Sequence, residues 1–191
     1  MKRLAGFTII ELMITIALAA IVLTFGVPAF QGLAERNQLT ANINSFISSL
    51  ALARSEAVKR KQQVTICASN DGSTCSNDNS GYESGWIVYV ETIAPADNRA
   101  NAEELLWVSE ALANNMTLRA TVPFNNRIQY LPTGQTGGLG NASIFLCKDA
   151  VTNKARLITI IRSGRVHLAK NNSYGVPLTS AGTEITDCNT S

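Results

Sequence analysis

The sequence GFTIIELMITIALAAIVLTFGVP, residues 6–28, decides how the rest of the chain is read. From Phe7 to Val27 run 21 residues with no Lys, Arg or Asp and one acid, Glu11. At about 1.5 Å per residue such a helix spans roughly 30 Å, the thickness of a bilayer's hydrocarbon core. The stretch therefore reads as a membrane-spanning helix. Lys2 and Arg3 stand before it, while the far end carries the balanced pair Glu35 and Arg36. The positive-inside rule then puts the N-terminus in the cytoplasm and residues 30–191 on the other side. A secretory signal peptide fits less well, because the apolar run is too long and no A-x-A-like site closes it.

Glu11 is the odd residue in this run. An acid near the middle of a spanning helix costs about 2.5–3.5 kcal/mol on insertion scales, and less near the interface. Two readings stand at this point: a functional intramembrane carboxylate, or the acid of a signal anchor that snorkels towards the cytoplasmic face.

Past Pro28 the helix is expected to continue, kinked at the proline. Leu39, Ile43, Phe46, Leu50, Ala53 and Ala57 alternate steps of four and three, which draws one apolar stripe along it. Asn42, Asn44, Ser48, Arg54 and Glu56 fall between them and read as a solvated face. Lys59-Arg60-Lys61 suits a helix C-terminus and reads as a solvated helix end. The second half of the helix thus leaves the membrane and lays its stripe on a globular domain.

The remainder reads as short strands and turns. Val64–Ala68 and Trp86–Val90 are rich in β-formers, with an Asn/Asp/Ser/Gly loop, 69–85, between them. Leu105–Val108, Met116–Ala120, Ile128–Leu131, Ile144–Cys147, Arg156–Arg162 and Arg165–Leu168 follow. Ser163-Gly164 reads as a two-residue hairpin, and Pro132, Gly134 and GGLG (137–140) as an irregular connection. The expected fold is α+β. A long N-terminal helix, membrane-spanning over 7–28 and amphipathic over 29–61, packs on a β-sandwich-like head, 62–191.

The chain of 191 residues carries 16 basic and 14 acidic side chains, and Lys2 and Arg3 account for the excess. Without residues 1–6 the side-chain charge is zero, which argues against a globally basic nucleic-acid binder. Four cysteines in a domain outside the cytoplasm favour disulfides, and three pairings are open. Cys67 and Cys75 flank the turn-rich SNDGST and are expected to bridge locally, leaving Cys147 for Cys188. In the chain-entropy model these loops are worth about 2.6 and about 4 kcal/mol. Zinc fits poorly, since no C-x-x-C pair occurs and His167 is the one histidine.

Chemistry beyond this is scarce. Nucleophilic catalysis needs a base beside a Ser or Cys, and His167 stands alone on an expected hairpin. Residues 81–85, GYESG, misplace the serine of a nucleophile elbow, and Gly134–Gly140 lacks the G-K-[ST] of a phosphate loop. Asn70, Asp71, Asn77, Asp78 and Asn79 offer oxygens for Ca²⁺ without EF-hand spacing, so turn chemistry explains them better. No enzyme, cofactor or metal site is expected.

Two sets of motifs carry a family resemblance. The basic leader ending in Gly6, then Phe7-Thr8-Ile9-Ile10-Glu11 and the long apolar helix, resembles the class III signal of type IV pilins and type II secretion pseudopilins. The resemblance implies cleavage after Gly6 by prepilin peptidase and N-methylation of Phe7. It also implies that Glu11 pairs with the terminal amine of a neighbouring subunit during assembly. Such a pair neutralises two charges that are each costly in lipid, and does so only in register. ALARSEAVKRKQQVTIC (51–67), DGSTC (71–75), SGWIVYVE (84–91), LPTG (131–134) and ITIIRSGRVHL (158–168) resemble the GspH/FimT group of minor pilins and pseudopilins.

Membership would imply a low-abundance subunit of a type IV pilus, working with other minor pilins and the major pilin to prime assembly at the tip. Its route would run from the inner membrane, head periplasmic, to the cell surface. The alternatives implied are a DNA-binding minor pilin of natural transformation and a minor pseudopilin of a type II secretion system. For DNA the candidates are Arg162, Arg165 and Lys170. Residues 148–170 hold six cations against Asp149. Gly164-Arg165-Val166-His167 keeps the first arginine of the G-R-x-R motif of DNA-binding members and replaces the second. Few aromatics lie near for base stacking, so binding would be phosphate-directed and salt-sensitive.

Overall fold

A computed structural model describes residues 6–76, 81–92, 103–113, 115–121, 124, 127–138, 140–179, 182–185 and 188, with backbone alone at positions 28 and 29. The chain divides into two compact units, Met1–Gln38 and Leu39–Ser191, and one helix, α1 (Ile9–Arg60), contributes to both.

In the first unit α1 begins on a side-chain cap. Thr8 Oγ1 accepts from the Glu11 amide at 3.3 Å, and the Thr8 carbonyl accepts from Leu12 N at 3.2 Å. Thr8-x-x-Glu11 is the spacing of a capping box, with the acid set where the helix N-terminus favours negative charge. Apolar side chains then point outward all round the helix: Phe7, Ile14, Leu18, Val22, Phe25 and Phe30 are all more than half exposed. The two threonines in the run turn their hydroxyls inward, Thr15 Oγ1 donating to Leu12 O (2.8 Å) and Thr24 Oγ1 to Ala20 O (2.7 Å). Polar groups satisfied within the helix are what a lipid environment requires.

The second unit opens at Leu39, the first residue of the stripe. Leu39, Ile43, Phe46, Leu50, Ala53 and Ala57 are each no more than 2 % exposed. Lys61, at φ 56°, turns the chain out of the helix and into β1 (Gln63–Ala68). Seven further strands follow among the described residues: β2 (Trp86–Glu91), β3 (Leu105–Ser109), β4 (Met116–Ala120), β5 (Arg127–Tyr130), β6 (Ala142–Lys148), β7 (Val151–Ile160) and β8 (Val166–Leu168). They form two antiparallel sheets, ordered β3-β2-β1-β5 and β4-β6-β7-β8.

Strand alternation gives each sheet two faces with different tasks. Val64, Ile66, Val88, Val90 and Ile128 of the first sheet join Leu118, Ile144, Leu146, Ile158 and Ile160 of the second and the α1 stripe in one core. Phe46 sits at its centre, edge-on to Tyr82 and Trp86 with ring centroids 5.1 Å away in each case. The Trp86 indole donates to buried Ser49 on α1 at 3.0 Å, and the Tyr82 hydroxyl to Phe124 O at 3.1 Å. The opposite faces are covered by smaller clusters, each built on one disulfide. Cys67–Cys75 closes over Ile87 and Tyr89, and Cys147–Cys188 lies with Phe145, Leu157 and Ile185.

The eight expected strands are all present, with shifted ends. β7 starts at Val151 rather than Arg156 and stops at Ile160, which leaves Arg162 in the following turn instead of on a strand face. Asp149-Ala150, both at positive φ, make the two-residue β6–β7 turn. The β7–β8 connection holds three residues, not two: Ile161 N donates to Arg165 O and Gly164 N to Ile161 O around Arg162-Ser163-Gly164. Within the irregular connection expected at Pro132, Gly134 and 137–140, residues 131–135 form the same device. Leu131 N donates to Gln135 O and Gly134 N to Leu131 O, both at 2.8 Å. In each turn the third residue is left-handed, Gly134 at φ 76° and Gly164 at φ 77°.

Candidate functional site

The residues expected to carry assembly lie at the start of α1. Gly6 and Phe7 precede the helix, and Phe7 is 84 % exposed, so both are open to an enzyme. Lys2 and Arg3 lie outside the described residues. Glu11 is an exposed N3 residue whose amide is used by Thr8 and whose carboxylate has no ion-pair partner among the described residues.

In the second unit the two glycine turns are joined by Arg54, which the helix pattern places on the solvated face. Arg54 donates through Nε to Gly134 O (2.9 Å) and through Nη2 to Ser163 O (3.1 Å). Thr136 N completes the node by donating to Arg162 O at 3.1 Å. There is no space for a side chain here: a Cβ on Gly164 would stand 2.1 Å from Gly134 O and 3.0 Å from the Tyr130 ring. The Tyr130 hydroxyl is buried with no hydrogen-bond partner among the described residues, and burial pushes its phenol well above the ordinary range. LPTG and RSGR, distant in sequence, are thus one structural unit fastened to α1.

The polar face of α1 is likewise more than solvated. Arg60 pairs with Glu56 one turn back and, in a bidentate manner, with Glu104 just before β3. Arg60 therefore ties the helix end to the sheet, and the carboxylates beside it raise its guanidinium pKa. Arg60, chiefly, and Lys59 hold the Glu56 carboxyl below its ordinary value. No local pattern in the sequence marks a partner 44 residues away.

The oxygen-rich loop after β1 resolves as turn chemistry. Asp71 Oδ1 accepts from Thr74 N and Ser73 N, each at 2.8 Å, and from Ser69 Oγ at 3.1 Å; Oδ2 accepts from Thr74 Oγ1 at 2.8 Å. The Thr74 and Ser73 amides hold its carboxyl well below the usual carboxylate range. Asn77, Asp78 and Asn79 lie outside the described residues. No group of three metal-ligating side chains occurs among the described residues.

The cations proposed for DNA are all exposed and stand at different points of the chain past β7. Arg162 is exposed at the β7–β8 turn, Arg165 faces a groove beside α1, and Lys170 is exposed past β8. His167 lines the same groove as Arg165. Arg156 is half-buried on β7 and donates to the Ala155 carbonyl.

Comparison with known proteins accords with this arrangement. The profile of a prokaryotic N-terminal methylation motif matches residues 1–27, and that of "Type II transport protein GspH" matches residues 42–164. No curated protein matches the chain. Among solved structures, the Pseudomonas aeruginosa (strain PAO1) type IV minor pilin FimU in space group P21 superposes with a TM-score of 0.57 at 20 % identity, covering 72 % of this chain and 92 % of that one. A second crystal form of FimU gives 0.50 at 18 % identity with the same coverage. The minor pseudopilin EpsH of the Vibrio cholerae type 2 secretion system gives 0.46 at 14 % identity, covering 69 % and 95 %. The FimU likeness fixes the fold, a long N-terminal helix packed on antiparallel sheets. The family profile covers the α1 stripe from Ile43 on, the first disulfide and both turn glycines, and the chain belongs to the GspH family of minor pilins and pseudopilins, structural subunits rather than enzymes.

Proposed function

We propose that the chain is a minor pilin of a type IV pilus, cleaved between Gly6 and Phe7, methylated on Phe7, and placed in the tip complex that primes assembly. The observation that carries this reading is the exposed, all-round apolar surface of α1 from Ile9 to Val27, headed by the capping residue Thr8 and one acid, Glu11, unpaired among the described residues. A surface of that kind needs lipid before assembly and other subunits' helices afterwards. The N-terminus then lies in the cytoplasm and the head in the periplasm. Glu11, near the helix start, is available to the methylated amine of a neighbouring subunit.

The test is a gene deletion complemented in the native host with wild type or Glu11→Ala. The wild-type gene should restore surface pili. Glu11→Ala should restore membrane-bound protein but few pili, because it removes the pairing and, with it, a charge that is costly in lipid. Normal piliation in the deletion strain contradicts the pilus role. A second reading, a minor pseudopilin, is favoured by the match to the type II transport protein GspH family. It is separated in the same strains by assaying secreted proteins: loss of secretion with intact pili selects the pseudopilin.

A further inference from the structure

We propose that the groove between α1 and the β7–β8 hairpin receives an amphipathic helix of a neighbouring pilin, with a carboxylate of that helix paired to Arg165. The inference rests on the pilin reading and adds the kind of partner surface the head engages. The groove is a hollow of about 350 Å³, with Ile47, Leu50, Ala51 and Val166 among its apolar lining and Arg165 and His167 from the hairpin. It continues along the same flank of α1 into a second hollow of about 430 Å³ that shares Ala51 and Arg54 and adds Ser55, Val58 and Lys59. From Ile47 to Val58 this flank covers three turns of helix, roughly 16 Å. Its small residues, Ala51 and Ser55, are one turn apart and let a second helix approach closely.

Charge supplies the independent observation. Arg60, Arg119, Lys59 and Lys154 all pair with acids of the chain. Arg165 and Arg162 are exposed, and neither has an acidic partner among the described residues. Arg54, which lines both hollows, donates to two carbonyls and has no carboxylate partner among the described residues. A groove with an apolar floor and an unbalanced cationic rim is complementary to a segment that alternates apolar and acidic residues. Nucleic acid fits less well, since no Phe, Tyr or Trp lines either hollow for base stacking and the apolar floor suits a helix face better than a sugar–phosphate backbone.

The experiment uses the full-length protein in its host, with a photo-crosslinking phenylalanine analogue placed at Ala51 or, separately, at Leu18 on the apolar half of α1. The Ala51 adduct is expected to map by mass spectrometry to a helix of another pilin, with an Asp or Glu within one turn of the linked residue. Arg165→Glu should lower its yield about tenfold or more, Arg165→Lys should keep most of it, and changing the mapped acid to Lys should restore it in the Arg165→Glu background. An adduct insensitive to Arg165→Glu, a mapped helix without a nearby acid, or an adduct containing DNA overturns the proposal. So does the absence of an Ala51 adduct while Leu18 still links to pilins. Absence at both positions overturns the pilin reading as well.

Discussion

The two halves of α1 belong to one unbroken helix, yet they are made for different surroundings. Before Leu39 the apolar side chains point in every direction and stay exposed; from Leu39 on, six of them form a stripe with almost no accessible surface, while Ile47, Ala51 and Val58 stay on the open flank. A stripe can be buried by one neighbour, whereas an apolar cylinder needs a solvent of its own kind. The polar residues differ in the same way. In the first half Thr15 and Thr24 bond back into the helix. In the second, Ser49, Arg54 and Arg60 reach out to Trp86, the two glycine turns and Glu104. One continuous helix thus carries a segment long and apolar enough to cross a membrane and the central element of a folded head.

The contrast is broken most severely at Phe46. Phe46→Ala leaves a cavity between Tyr82, Trp86 and the sheets, and thermal unfolding of the head should show a loss of about 3–5 kcal/mol with membrane fractionation unchanged. Leu18→Lys is the counterpart in the first half. It should lower the membrane-inserted fraction by an insertion penalty of about 2.5–3.5 kcal/mol while the head keeps its melting temperature. A fall in head stability there would mean that the halves are not independent.

Arg54→Ala sharpens the comparison, because it tests a polar tie of the second half without touching the stripe. It strands the Gly134 and Ser163 carbonyls, and denaturant unfolding should register about 1–3 kcal/mol of destabilisation. Gly164→Ala should be at least as harmful, since positive φ and the clash with Gly134 O act together. An unchanged midpoint in both variants would deny the node any role in stability.

The smallest effect is expected at Asp71. Its folded-state pKa is depressed, so its contribution is present above the ordinary aspartate value of about 3.9 and is lost as the pH falls through the folded value below that. Melting temperatures of wild type should therefore decline in that acid window more than those of Asp71→Ala. Parallel curves would show that the loop bonds add nothing to folding.

What was legible in the sequence was whatever repeats with the period of an element. The six-residue stripe of α1 and all eight strands were visible from apolar spacing and β-rich runs, because burial on one face imposes that spacing locally. The start of β7 was hidden, since Val151–Ala155 carries Thr, Asn and Lys and its turn is Asp-Ala rather than Asn-Gly or Asp-Gly. Arg54 and Arg60 were read as solvated because their partners come from turns and strands far along the chain. The leader motif was legible for the opposite reason: recognition by an enzyme demands fixed residues at fixed spacing, independent of the fold.

The claim that one helix is held by two solvents is tested most directly by hydrogen exchange, read by mass spectrometry, on the full-length protein in lipid nanodiscs across a urea series. Peptides from 39–60 should lose protection together with those of β1, β2, β6 and β7, because a helix of that length is marginal once its packing is gone. Peptides from 9–27 should stay protected through that transition. Loss of protection in 9–27 along with the head, or a 39–60 segment that outlasts the sheets, would contradict the account.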